Sequence, residues 1–215
     1  GNGAFTLTGT VTGAGTRHAV SSGGSIGISG ATHSGWTGGI AGDSSSCTVT
    51  LSGGATGASG TAAITTLSSF SGTIFINTTF TGTGACSIAG GSLGGTSSVG
   101  GNVTIATGAR ILGGSGASNA GTLTVNGNLT LNSGATMTVN IGSPTTVSKI
   151  TTLGNLVLNG NVPTFQSTTL NAGTYPLFNY SGSLTGSLGT PVLTGTGRTF
   201  SSYTSGAGVY SIVLT

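Results

Sequence analysis

The feature that most constrains this chain is a short apolar alternation, broken by glycine or asparagine every few residues. Phe5 and Leu7, Ile26 and Ile28, Val49 and Leu51, Ile74 and Ile76, Val103 and Ile105, Leu123 and Val125, and Leu129 and Leu131 are such pairs; Met137, Val139 and Ile141, then Leu156 and Leu158, continue the pattern. A spacing of two puts both apolar side chains on one face of a strand and the intervening threonines, serines and asparagines on the other. Threonine is β-branched and suits the outward face of a pleated strand. No window carries apolar residues at i, i+3, i+4 and i+7, so the chain reads as all-β. Leu123, Val125, Leu129, Leu131, Val139, Ile141, Leu156 and Leu158 are expected to point inward.

Asn126-Gly127 and Asn159-Gly160 lie between apolar pairs, where positive φ comes at little cost. They read either as two-residue hairpins or as corners of a coil. Apolar pairs recur at Ile26, Val49, Ile74, Val103 and Val125, a loose period of roughly 20–30 residues that suits stacked coils. The expected fold is a right-handed parallel β-helix, with a β-sandwich or jelly roll as the alternative. Residues 1–100 read as an irregular Gly/Ser/Thr-rich β region and 101–215 as a more regular solenoid-like one, together forming one elongated domain.

Composition narrows the function classes. Of 215 residues 44 are glycine, 2% are charged, and Asp43 is the single acidic side chain. A lone acid excludes paired-carboxylate hydrolysis and acidic clusters for calcium or magnesium. The net charge of +3 comes from Arg17, Arg110, Lys149 and Arg198. These are scattered, so no basic patch for nucleic acid forms. No apolar run approaches the ~18 residues of a membrane-spanning helix. The start, GNGAFTLTG, lacks the basic and apolar regions of a signal peptide; this fits a chain already processed or cut from a longer one. Mean hydropathy of +0.34 and the ordered apolar pairs argue against disorder.

From about Gly121 onward the text GTLTVNGNLTLNSGATMTVNI, SKITTLGNLVLNGNVPTF, TTLNAGTYPLFNYSGSLTGSL and GVYSIVLT resembles the autotransporter-associated β-strand repeat proteins of bacterial surfaces. Gly134-Ala135, Gly154 to Gly160, Gly173 to Leu177 and Tyr210 to Leu214 carry the resemblance, which covers under half of the chain. It implies a right-handed β-helical stalk and an extracellular, cell-surface location. Ser148-Lys149 departs from the family, which often has acidic residues there.

The rarer residues cluster early: Arg17, His18, His33, Trp36, Asp43 and Cys47. No signature supplies the oriented base and oxyanion hole of a triad, and the G-x-S-x-G matches at Ser25 and Ser92 are expected by chance in so Gly/Ser-rich a chain. His18, His33, Cys47 and Cys86 lack any zinc-ligand spacing. Neither a catalytic centre nor a cofactor or metal is expected. Cys47 and Cys86 are expected to form a disulfide, worth about 4 kcal/mol by chain entropy; two buried free thiols are the alternative. Trp36 reads as a half-buried side chain under a loop, or else a sugar-stacking platform. The sequons at Asn77, Asn102, Asn128 and Asn179 read as coincidences of a Thr-rich chain.

So few charges leave strand edges without the usual protection against pairing. The expectation is a secreted structural protein that assembles with copies of itself into a filament, tube, sheath or layer. Phe5 and Leu7 at one end, and Val209, Tyr210, Ile212 and Leu214 at the other, are the expected joining strands. A passenger-type adhesin segment that binds a glycan or host surface is the second reading. An ice-binding solenoid, from Thr-x-Thr elements such as Thr122-Leu123-Thr124, is the third.

Overall fold

The computed structural model describes residues 85–215 with their side chains, apart from 89, 115–119 and 167–168, together with the backbone of strands lying between residues 4 and 76. Among the described residues there is no helix, and the strands stack as a parallel β-solenoid. From Cys86 the chain runs through Cys86–Ile88, Ser92–Gly95 and Ser98–Val99, then turns back beneath itself as Val103–Ile105, Arg110–Leu112 and Thr122–Val125. The next two circuits are Leu129–Leu131, Thr136–Val139 and Lys149–Thr152, then Leu156–Val157, Val162–Phe165 and Gly173–Tyr180.

Three sheets result. The long face has eight strands, from Ala4–Leu7 through Ser25–Ser29, Thr48–Ser52 and Thr73–Ile76 to Val162–Phe165, every neighbouring pair parallel. A narrow face has five strands, from Cys86–Ile88 to Leu184–Thr185. The third is a six-stranded face that begins at Ser98–Val99 and ends in two antiparallel strands, Val209–Leu214 and Phe200–Gly206; we call it the capped face.

Alternation decides what fills the interior. On the narrow face Cys86, Val103, Leu129, Leu156 and Leu184 form one inward column, and Ile88, Ile105 and Leu131 form the next. On the capped face Leu123 stacks on Ile150 and Phe178. The eight residues expected to point inward do so, all between 0% and 4% exposed. Each coil alone offers only a few apolar side chains. Burial, worth roughly 25 cal/mol per Å² of apolar surface, therefore accrues only when coils stack.

The hairpin reading of the two Asn-Gly sites gives way to corners. Leu123–Val125 and Leu129–Leu131 lie on different faces and pair with different neighbours, so Asn126-Gly127 turns the chain from one sheet to the next. The loose period sharpens at this corner. Asn102 Oδ1 accepts the Asn128 N–H 26 residues on, Asn128 Oδ1 accepts the Asn155 N–H 27 on, and Asn155 Oδ1 accepts the Ser183 N–H 28 on. This asparagine ladder gives polar corner groups a partner where no sheet continues. It also requires the glycine before each member, because a Cβ on Gly127, Gly154 or Gly182 would collide with the asparagine oxygen one coil back. Asn102 and Asn128, the apparent sequons, are thus structural.

Candidate functional site

The C-terminal end is where the solenoid departs most from repetition. After Leu184–Thr185 the chain makes two last parallel contacts with the long face, Leu188 on Asn161 and Val192 on Thr164, and then reverses. Phe200–Gly206 and Val209–Leu214 form a hairpin closed by Ala207 and Gly208, with φ of 48° and 76°. Val209–Leu214 docks antiparallel on Gly173–Tyr180. Phe178 and Tyr210 meet edge to face with centroids 6.5 Å apart, Tyr210 and Tyr203 at 5.3 Å, and Tyr203 and Phe200 at 4.8 Å. Tyr203 donates to the Gly189 carbonyl at 2.7 Å, and the Tyr210 hydroxyl accepts the Leu188 N–H at 3.1 Å. The aromatic group thus ties the hairpin to the last turn and covers the end of the core, as terminal repeats of solenoids must.

The structure places the expected joining residues differently at the two ends. Val209, Tyr210, Ile212 and Leu214 sit in a strand paired on both sides within the chain, and Tyr210, Ile212 and Leu214 are buried. Pairing there completes the fold's own sheet, because the strand's inward residues belong to the cap. The free edge at this end is Phe200–Gly206, which pairs only with Val209–Leu214 among the described residues. In a hairpin closed at Gly206 and Val209 the antiparallel alternation turns the N–H and C=O of Tyr203 and Ser205 toward that free side. Phe5 and Leu7 lie in Ala4–Leu7, the outermost strand of the long face among the described residues, paired with Ser25–Ser29.

Cys86 corrects the disulfide expectation: it is a free thiol. It begins an inward column whose next members are Val103 and Leu129, so its sulfur lies in the apolar interior, and burial pushes its pKa up to about 12. Cys47 and Asp43 lie outside the described residues. Arg17 and His18 are carried by strand Arg17–Ala19, and His33 and Trp36 by Thr32–Trp36; these two strands belong to different two-stranded sheets. Among the described residues no three His, Cys, Asp or Glu side chains gather. Arg110 donates to Ser92 Oγ at 3.0 Å and Arg198 to the Leu170 carbonyl at 2.7 Å.

Sequence reasoning missed three things here. The asparagine ladder was signalled by Gly101-Asn102-Val103, Gly127-Asn128-Leu129 and Gly154-Asn155-Leu156, a Gly-Asn-apolar repeat whose spacing matches the coil. Asn140, expected to face outward between Val139 and Ile141, is instead wholly buried; its Nδ2 donates to the Gly113 carbonyl at 2.8 Å, its N–H donates to Ser148 Oγ at 2.9 Å, and its Oδ1 has no partner. The third is a projecting hairpin, Ile141–Ser143 with Thr146–Val147, at the corner between the long and capped faces.

Fold and site together define a capped parallel β-solenoid. Compared with models of protein families, with curated proteins and with solved structures, the chain matches none of them.

Proposed function

We propose that this chain is a structural β-solenoid of the cell exterior that associates with copies of itself, and that the Phe200–Gly206 edge carries the contact at the capped end. The observation behind this reading is the chemistry of that edge. It is seven residues long and contains neither charge nor proline. Ser201, Ser202, Thr204, Ser205 and Gly206 are exposed along it. Natural edge strands are usually protected by lysine, proline, a bulge or a cover; here the bulge lies between Phe200 and Ser202, and Tyr203 to Gly206 keep an unbroken register.

Two such edges pair antiparallel about a two-fold axis, which gives a closed, tail-to-tail dimer. Extension into a filament or layer needs a second contact, for which Ala4–Leu7, the terminal strand of the long face, is the natural element. The resemblance to autotransporter-type surface repeats supports the extracellular location. Ion pairs contribute little, since one acidic side chain serves the whole chain.

Analytical ultracentrifugation tests the reading. The native chain is expected as a dimer or larger species that persists in roughly 1 M salt, because edge hydrogen bonds and apolar burial are not screened. Ser205→Pro removes an outward N–H without touching the intramolecular ladder and should give monomers with an unchanged circular dichroism spectrum. Ser205→Lys should do the same by charge. A native monomer, or unchanged association in both variants, overturns the proposal.

A further inference from the structure

A groove of about 280 Å³ lies between the projecting hairpin and the outer surface of the capped face. Thr122, Lys149, Thr174 and Pro176 line its floor, and Thr146 and Val147 its wall. The hairpin widens the corner between the long and capped faces. Where the strand Ser92–Gly95 passes directly to Ser98–Val99, this coil makes the strands Ile141–Ser143 and Thr146–Val147 before Lys149–Thr152 begins. Insertions at solenoid corners map to loops on one face, often the binding face.

The wall is braced. The Pro144 carbonyl at the hairpin tip accepts the Asn171 N–H at 2.8 Å, and the single Tyr175 O–H is shared between the Pro144 and Asn171 carbonyls, at 3.0 and 2.8 Å. At its base Ser148 N–H donates to the Asn140 carbonyl at 2.7 Å, and Asn140 N–H donates back to Ser148 Oγ at 2.9 Å. Both ends of the excursion are thus tied to the coil, so the groove is formed before any ligand arrives.

Its chemistry is distinctive in a chain almost without charge. Ile150 points into the core, so Lys149 points outward, beside Thr122 of the preceding coil. Arg110 and Arg198 are each held by a hydrogen bond, whereas Lys149 has no side-chain partner among the described residues, and those residues include no acidic side chain. The site therefore offers one ammonium with no partner among the described residues, the hydroxyls of Thr122, Thr145, Thr146 and Thr174, and apolar patches from Val147 and Pro176. Those groups match a sugar ring bearing one carboxylate: hydroxyls meet hydroxyls, ring C–H faces meet Val147 and Pro176, and the carboxylate meets Lys149. Phosphate recognition usually adds an arginine fork, and no arginine is among the described residues that line this groove.

We propose that this groove binds a carboxylate-bearing saccharide unit, with Lys149 as the counter-ion and Thr122, Thr146 and Thr174 as partners of the ring hydroxyls. It uses no residue of the Phe200–Gly206 edge, so loss of binding and loss of association are separate outcomes.

Nuclear magnetic resonance titration of the full chain with a glucuronate-terminated disaccharide tests it, beside the uncharged glucose counterpart and inorganic phosphate. The uronate is expected to shift the amides of Gly121, Thr122, Thr146 and Thr174 and to bind at least about tenfold more tightly than the neutral sugar. Lys149→Gln should abolish that preference and Lys149→Arg should keep it, with both folded by circular dichroism. Thr146→Val, on the exposed hairpin, should weaken both sugars alike. Absence of uronate shifts at these amides, equal binding of charged and neutral sugars, phosphate binding in place of the uronate, or an unchanged preference in Lys149→Gln would each overturn the proposal.

Discussion

Asn128 Oδ1 accepts the backbone N–H of Asn155 at 2.8 Å, one coil further along the solenoid. The oxygen also occupies the space in which a side chain on Gly154 would lie. One contact therefore fixes two positions in the sequence, the asparagine that reaches forward and the glycine that makes room.

The two substitutions at this contact should be coupled. Asn128→Ala removes one hydrogen bond at a solvent-accessible corner and should cost about 0.5–1.5 kcal/mol. Gly154→Ala forces a methyl against Asn128 and the Gly127 backbone and should cost about 1–3 kcal/mol. The double variant should be more stable than the sum of the two predicts, since Asn128→Ala frees part of the space. Denaturant melts of the four proteins measure this, and strict additivity would show that the oxygen is not what excludes the methyl.

Alkaline pH should unfold the chain through its buried weak acids. Burial raises the Cys86 pKa from 9.0 to about 12. Tyr203 and Tyr210 are also raised, mainly by burial; Tyr203 is pushed further by neighbouring Tyr210, while the Leu188 N–H partly offsets the rise at Tyr210. A raised folded-state pKa means the fold favours the protonated form. The associated stability is whole below the unfolded values of 9.0 and 10.0 and is lost as pH rises through the folded ones. The β-sheet signal should hold from neutrality to about pH 9, then fall together with the appearance of tyrosinate absorbance. Native Cys86 should resist alkylation at pH 8 and react fully in denaturant. A native thiol as reactive as a free peptide thiol would contradict its place in the core.

The cap hairpin can be improved. Ala207 holds φ of 48°, a left-handed value that costs a residue with a Cβ about 1–2 kcal/mol, and Gly208 follows at 76°. Two successive positive φ values are the pattern of the two-residue turn that Asn-Gly prefers. Ala207→Asn should raise stability by up to about 1 kcal/mol, read as a higher unfolding temperature without change in association. A fall in stability would mean that Ala207 is held in place by packing that asparagine disrupts.

The sequence by itself determined which side of each strand faces inward and where the chain turns. Leu123 with Val125, Leu129 with Leu131, and Leu156 with Leu158 declare their face through a spacing that depends on no distant residue, and glycine and asparagine mark corners because backbone dihedrals are local. Pairing is a different quantity. Whether Asn126-Gly127 closes a hairpin or turns a coil depends on which strand returns to lie beside Leu129–Leu131, and that is settled by stacking free energy summed over the whole molecule. The tertiary structure alone therefore decided three matters. Val209–Leu214, an edge by its place in the sequence, became an inner strand because Phe200–Gly206 folds back over it. Cys86 took an interior place because its register aligns it with Val103 and Leu129 in an apolar column. Lys149, one of four scattered cations in the sequence, came to face a braced groove because the residues before it leave the coil as a hairpin and return.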